Sequence, residues 1–318
     1  MMKPRLIGAA VGLALALGFG TGAQAADEPY VALISKGFQH QFWQAVKKGA
    51  EKAGDDYHVR VTFEGPETEA MVDKQIDMLS AALAKRPAAI GFAALDSKAA
   101  IPLLKKAQQE KIPVIAFDSG VDSNIPLATA ATDNKKAAAL AADKMAQLIG
   151  DEGEVALVVH DQTSRTGIDR RDGFVDEMKA KHPKVKIVDI QYGAGDQLKS
   201  TEITKALLAA HPKIKGIFGA NEGSVIGVIH GTKEMKMTGK VVIIGYDSGK
   251  EQKEAIRSGI EAGAITQNPG GIGYETVKAA VEAINGKAKQ IPKVIDTGFY
   301  WYDKSNIDDP KIASQLYD

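Results

Sequence analysis

The 318-residue chain contains no cysteine, which removes disulfides, Cys-ligated zinc, iron–sulfur clusters and thiol nucleophiles together. It has no surplus of either charge, with 40 Lys plus Arg against 40 Asp plus Glu. A binder of a phosphate backbone through bulk charge is therefore disfavoured, so nucleic acid is not among the expected partners. Gly-Lys occurs three times, at Gly239-Lys240, Gly249-Lys250 and Gly286-Lys287, never with the following Ser or Thr of a phosphate-binding loop. Gly223-Ser224-Val225-Ile226-Gly227 has the wrong spacing for a nucleophile elbow, because position 222 is Glu. Gly270-Gly271-Ile272-Gly273 follows Gln267-Asn268-Pro269 and does not complete a dinucleotide fingerprint. The six histidines stand singly, so metal ligation has little support and no cofactor is called for. These absences favour binding over catalysis.

What is present begins with an address. Lys3 and Arg5 precede an apolar stretch over 6–20, and Ala23-Gln24-Ala25 supplies the small-x-small pattern of a cleavage site. Residues 1–25 are thus expected to be a signal peptide, with no cysteine at the junction to carry a lipid. The expected product is soluble and periplasmic, beginning at Ala26 with a net charge of −2 once Lys3 and Arg5 are removed. No later run of 18 or more apolar residues offers a membrane span.

At 44% hydrophobic and 25% charged, the remaining chain is long enough for two globular units. Short apolar runs alternate with amphipathic stretches, the pattern of stacked βαβ units around buried parallel sheets. Strands are expected over 30–35, 59–64, 88–93 and 113–118, with helices over 41–54, 68–85 and 97–110. A second series puts strands over 154–159, 185–191, 214–219 and 241–247, and helices over 134–150, 167–182, 196–210 and 222–234. The halves echo each other in Ile115-Ala116-Phe117-Asp118-Ser119-Gly120 and Ile244-Gly245-Tyr246-Asp247-Ser248-Gly249. Side chains just beyond the carboxyl ends of parallel strands line ligand crevices, so Asp118 and Asp247 suggest two similar lobes facing one cleft. A turn or helix cap would use Asp-Ser-Gly equally well. Rings, carboxylates, amides and an arginine near the strand ends suit a neutral polyol, whose C–H face stacks on rings while its hydroxyls pair with polar groups.

The stretch Ile34-Ser35-Lys36-Gly37-Phe38-Gln39-His40-Gln41-Phe42-Trp43, then Val46-Lys47-Lys48-Gly49-Ala50, resembles the first strand and helix of ribose-type periplasmic binding proteins. These are the receptors of sugar ABC transporters. Pro113–Asp118, Ala131-Thr132-Asp133-Asn134, Arg170 with Gly173-Phe174, Phe218-Gly219-Ala220-Asn221, Gly245-Tyr246-Asp247 and Thr266-Gln267 are similar to later motifs of that family, in order. The resemblance covers nearly all of the chain beyond the leader. It implies an α/β fold of periplasmic binding protein type I, two similar lobes joined by a three-segment hinge near Thr132, Gln267 and Asp296. One lobe would comprise 26–131 plus 268–295, the other 132–267 plus 296–318.

By the same resemblance, Phe42 and Trp43 stack on the sugar, Asp118 and Asp247 accept from its hydroxyls, and Arg170, Asn221 and Gln267 contribute a guanidinium and two amides. His40 stands where the family often has Asn. Ser35, Lys36 and Phe38 are weaker candidates, Arg171 reads as a solvated helix face, and spacing alone does not dismiss Arg165. Ser119, also expected to touch the ligand, replaces an arginine of ribose receptors, and Gly195 replaces a stacking phenylalanine. These departures are expected to leave more room, favouring a different or larger sugar: a hexose, an amino sugar or a sugar alcohol. The implied partners are a sugar and a membrane permease, the protein working as a monomer. A receptor for a chemotactic or furanose quorum signal, docking on a chemoreceptor, is the alternative. A glycosidase would also place two carboxylates across a sugar. A sugar-responsive repressor would need a DNA-binding module where the leader stands.

Overall fold

The computed structural model describes residues 28–317 together with Met1. The expected signal peptide, Met1 apart, lies outside the described residues. Strand β1 (Tyr30–Ile34) is apolar throughout, and alternate residues enter opposite cores. Val31 and Leu33 face one layer, Ala32 and Ile34 the other, so both sides of the strand are covered. The chain continues through α1 (Gln41–Tyr57), β2 (Arg60–Glu64), α2 (Val72–Ala84), β3 (Ala89–Phe92), α3 (Ile101–Gln109), β4 (Val114–Phe117) and β5 (Ala128–Ala131). A second series follows: α4 (Asn134–Ile149), β6 (Gly153–Val159), α5 (Arg165–Lys181), β7 (Val185–Tyr192) and α6 (Gln197–Ala210). It runs on through β8 (Ile214–Gly219), α7 (Glu222–Glu234), β9 (Val242–Tyr246), α8 (Lys250–Ser258) and β10 (Gly263–Gln267). The chain ends with α9 (Pro269–Ile284), β11 (Val294–Asp296), β12 (Phe299–Tyr302) and the short α10 (Pro310–Ala313).

Two six-stranded sheets result, ordered β2-β1-β3-β4-β5-β11 and β7-β6-β8-β9-β10-β12. The orders are equivalent strand for strand. Every pairing is parallel except that of β12 with β10. The chain passes from the first sheet to the second after β5, returns after β10, and crosses again between β11 and β12. Helices α1 and α9 pack together over one face of the first sheet, and α4 and α5 over the corresponding face of the second.

Several elements differ from the sequence expectations. Helix α3 starts at Ile101 rather than 97, because Asp96 Oδ1 accepts from the amides of Lys98 and Ala99 and holds that stretch in a turn. Helix α9 was not among the expected elements. Asn268 caps it, accepting from Gly271 N at 2.8 Å, and Pro269 occupies its first turn. Its glycines serve close packing: a Cβ on Gly273 would stand 2.0 Å from the Val46 carbonyl oxygen of α1. At the C-terminus, Tyr317 packs against Phe42 in the core beneath α1, with ring centroids 6.1 Å apart.

Candidate functional site

The carboxyl ends of the two sheets face each other around a cavity of about 10 Å³. From the first sheet and its loops come Lys36, His40, Phe42, Trp43, Glu69 and Asp118; from the second come His160, Arg170, Asn221 and Asp247. All ten are buried. The cavity has room for about one water molecule, so the lining side chains stand closed on one another.

Two rings form one wall. Phe42 and Trp43 open α1 and meet edge to face, with centroids 4.9 Å apart. The indole N–H donates to Glu69 Oε1 at 2.8 Å, which fixes the ring and satisfies one carboxylate oxygen. The other, Glu69 Oε2, has no hydrogen bond and lies 3.8 Å from Lys36 Nζ. Burial works to raise the Glu69 pKa, but the Lys36 ammonium and the indole N–H outweigh it and hold the carboxyl at about 2.

Lys36 follows β1, and its ammonium donates to Thr166 Oγ1 on α5 at 3.0 Å, tying the end of a first-sheet strand to a helix of the second sheet. Asp118, directly after β4, stands 4.0 Å from the same ammonium. Here burial dominates, and Asp118 is pushed up to about 6 despite Lys36 and Arg170. His160 follows β6, the second sheet's counterpart of β1, and its Nε2 pairs with Thr166 Oγ1 at 3.1 Å. Burial drives its pKa down to about 3, so the ring is neutral.

Arg170 is held from three sides. Its Nε donates to Asn134 Oδ1 at 2.8 Å, a guanidinium nitrogen donates to the Ala220 carbonyl at 2.9 Å, and Tyr246 stacks 3.7 Å beneath it. Asn221 caps α7, its Oδ1 accepting from Ser224 N, so the side-chain orientation is set by the helix. Asp247 Oδ2 accepts from Glu222 N at 2.9 Å and Oδ1 from Gln267 Nε2 at 2.7 Å. Gln267 in turn accepts from Thr132 Oγ1. It supports Asp247 from outside the cavity lining.

The structure brings His40, Phe42, Trp43, Asp118, Arg170, Asn221 and Asp247 together, and adds Lys36 in full. It does not bring in the others. Ser119 is buried away from the cavity, with its Oγ unpartnered. The Ser35 hydroxyl turns back to the Gly37 and Glu64 carbonyls, and Phe38 packs edge-on against Phe63. Arg165 pairs with Asp169 and Asp122 outside the cavity, and Arg171 pairs with Asp172 and Tyr192. The extra room expected at Gly195 is absent as well. A Cβ there would already stand 3.1–3.3 Å from Asn221 Nδ2, Glu69 Oε2 and His40 Nε2, which occupy the place of a ring.

Glu69 and His160 were not expected. His160 had a signal, since it follows the apolar run of β6 as Asp118 follows β4; Glu69 sits in a loop with Glu67 nearby and had none. Both His40 nitrogens, His160 Nδ1 and Glu69 Oε2 are buried without partners. Such atoms cost about 1–3 kcal/mol each, so the cavity is built for a ligand rich in donors and acceptors. Among the described residues no group of His, Asp and Glu is arranged to hold a metal ion, and no helix is long and apolar enough to cross a membrane.

A two-sheet clamp with a small polar and aromatic cavity between strand ends defines a solute receptor. Residues 31–288 match the periplasmic binding protein domain, and the chain belongs to that family. It is 28% identical over 285 residues to the D-allose-binding periplasmic protein of Escherichia coli, covering 87% of this chain and 89% of that one. It superposes on an ABC transporter solute-binding protein of Agrobacterium vitis bound to α-D-tagatopyranose with a TM-score of 0.87. Identity to that protein is 31%, over 92% of this chain and all of the other. A carbohydrate transporter solute-binding protein of Agrobacterium radiobacter, in complex with D-arabinose, gives a TM-score of 0.88 and 33% identity over the same shares.

Proposed function

We propose that this protein captures one monosaccharide in the cavity between its sheets and delivers it to the permease of a sugar ABC transporter, without altering it. The observation that carries this reading is the enclosed wall of Phe42 and Trp43 facing Asp118, Arg170, Asn221 and Asp247, two chemistries that together match the C–H face and hydroxyl edge of a sugar. Lys36, His40, Glu69 and His160 supply further donors and acceptors to the same cavity.

The lobes are 26–131 plus 268–295 and 132–267 plus 296–318, hinged near Thr132, Gln267 and Asp296. The side-chain bond between Thr132 and Gln267 and the strand crossing at β11–β12 support those hinge positions. Sugar binds the closed form best and so shifts an open–closed equilibrium. The protein works in the periplasm after removal of residues 1–25, as a monomer and without enzymatic turnover; the family membership supports the compartment. No observation favours the alternative of a signalling-sugar receptor.

A thermal-shift and tryptophan-fluorescence screen with D-allose, D-tagatose, D-arabinose, D-ribose and D-fucose tests the reading. A true ligand at 100 times its Kd adds about 2.7 kcal/mol of stability. It also changes emission from Trp43, and Trp301→Phe retains that change because Trp301 lies outside the cavity lining. Absence of any response across aldoses, ketoses and polyols, or release of product from a glycoside, rejects it.

A further inference from the structure

Helix α1 presents both rings of the cavity, yet its own segment does not cap it. His40, at the N-cap position, makes no side-chain hydrogen bond to the helix, and the first turn has no acidic residue. The first amides of a helix have no partner inside it. Here the partner comes from the opposite sheet's helices: Gln41 N and Phe42 N donate to Glu222 Oε1 and Oε2 at 3.0 and 3.1 Å. Glu222 opens α7 and is buried.

The reverse contact exists too. Gly249, preceding α8, has no side chain to cap that helix, and the amide of Lys250 instead donates to Gln41 Oε1 at 2.7 Å. A Cβ on Gly249 would lie 2.9 Å from Gln41 Oε1 and 3.0 Å from Glu222 Oε1, so a side chain there would crowd both groups. Each lobe therefore caps a helix of the other. A carboxylate at a helix N-terminus is favourable both as an acceptor and against the helix dipole.

We propose that Glu222 and Gln41 form a closure latch, acting as positioning residues that hold the ring-bearing start of α1 against the second lobe and keep a closed population present without ligand. The latch rests on the two-lobe hinge proposed above but not on the ligand being a sugar. Glu222 joins it to the cavity, because its backbone amide donates to Asp247 Oδ2 while its side chain grips α1. Substituting the side chain leaves that amide in place.

The absence of cysteine allows two to be introduced for spin labels without background, at exposed Glu67 on the first lobe and exposed Glu202 on α6 of the second. Pulsed electron–electron distance measurements on the ligand-free labelled protein are expected to show a short-distance population matching this structure. Glu222→Gln and Gln41→Ala are each expected to reduce it at least threefold; the second, at a half-exposed position, tests the latch without disturbing a buried group. A labelled protein with no short population, or one that both variants leave unchanged, overturns the proposal. Since no ligand enters the measurement, failure of every sugar in the screen would remove the sugar reading while leaving this result to stand or fall alone.

Discussion

The two Asp-Ser-Gly turns offer the same backbone in opposite surroundings. Asp118 and Asp247 each follow the fourth strand of a sheet's βαβ series, adopt positive φ of 55° and 81°, and donate their amides to the next strand at Ala130 and Ile265. Their carboxylates diverge. Asp247 accepts hydrogen bonds on both oxygens, from Glu222 N and Gln267 Nε2. Asp118 has an ion pair with Lys36 at 4.0 Å, and burial raises its pKa to about 6. Equivalent topology thus fixes where two carboxylates stand, while their neighbours decide that one is a rigid acceptor and the other titrates near neutrality.

The largest expected effect is at the rigid side. Asp247→Ala leaves the Glu222 amide and the Gln267 amide buried and unpaired, costing about 2–4 kcal/mol of stability and on the order of 100-fold in sugar affinity. Asp118→Asn should cost only about tenfold in affinity by calorimetry, because it breaks no hydrogen bond already in place. Equal losses would erase the distinction between the two turns.

The pH dependence comes next. Asp118 is raised in the folded state from 3.8 to about 6, so its contribution is present below about pH 4 and lost as pH rises through about 6. A shift of that size corresponds to about 3 kcal/mol. Glu69, lowered from 4.5 to about 2, acts in the opposite sense: its contribution is present above about pH 4.5 and lost as pH falls toward 2. Denaturant melts of wild type and Asp118→Asn at pH 4 and pH 7 should differ in slope, with the variant losing less stability on going to pH 7. Parallel pH profiles would place Asp118 in an ordinary solvated environment.

A smaller effect compares the helix pairs. In the first lobe a Cβ on Gly49 of α1 would meet the Gly270 carbonyl of α9 at 2.0 Å; in the second, a Cβ on Gly173 of α5 would meet the Lys135 carbonyl of α4 at 2.4 Å. Both Ala variants should lose roughly 1–3 kcal/mol, Gly49→Ala the more, because backbone must move in each. The reverse order in thermal melts would show the first pair to be the softer. Smallest of all is Ser119→Ala, which removes an unpartnered buried hydroxyl and should change stability by less than about 0.5 kcal/mol and affinity not at all. A marked affinity change would return Ser119 to the cavity.

Much of this was readable before folding. The apolar runs that became β1, β3, β4 and β9 could only be strands covered on both faces, and the rule that strand ends carry ligand groups identified Asp118 and Asp247. Applied to β6, it would also have found His160. Helix α9 was missed because glycines are poor helix formers, although Pro269 starts the helix and Gly273 admits α1. Ser119 and Gln267 stand one layer outside the cavity lining, since neither spacing nor residue type says which way a side chain points after a strand ends.

The order of apolar and polar residues by itself determined two parallel sheets, the repeated turn and the aromatic pair at the start of α1, because burial and hydrogen-bonding periodicity act over short stretches of chain. Only the tertiary structure decided that Glu69 reaches the Trp43 indole, that Lys36 spans the cleft to Thr166, and that Glu222 caps a helix 180 residues earlier in the chain. Those contacts depend on how the two layers meet, and desolvation at that meeting pushes Asp118 up and His160 down.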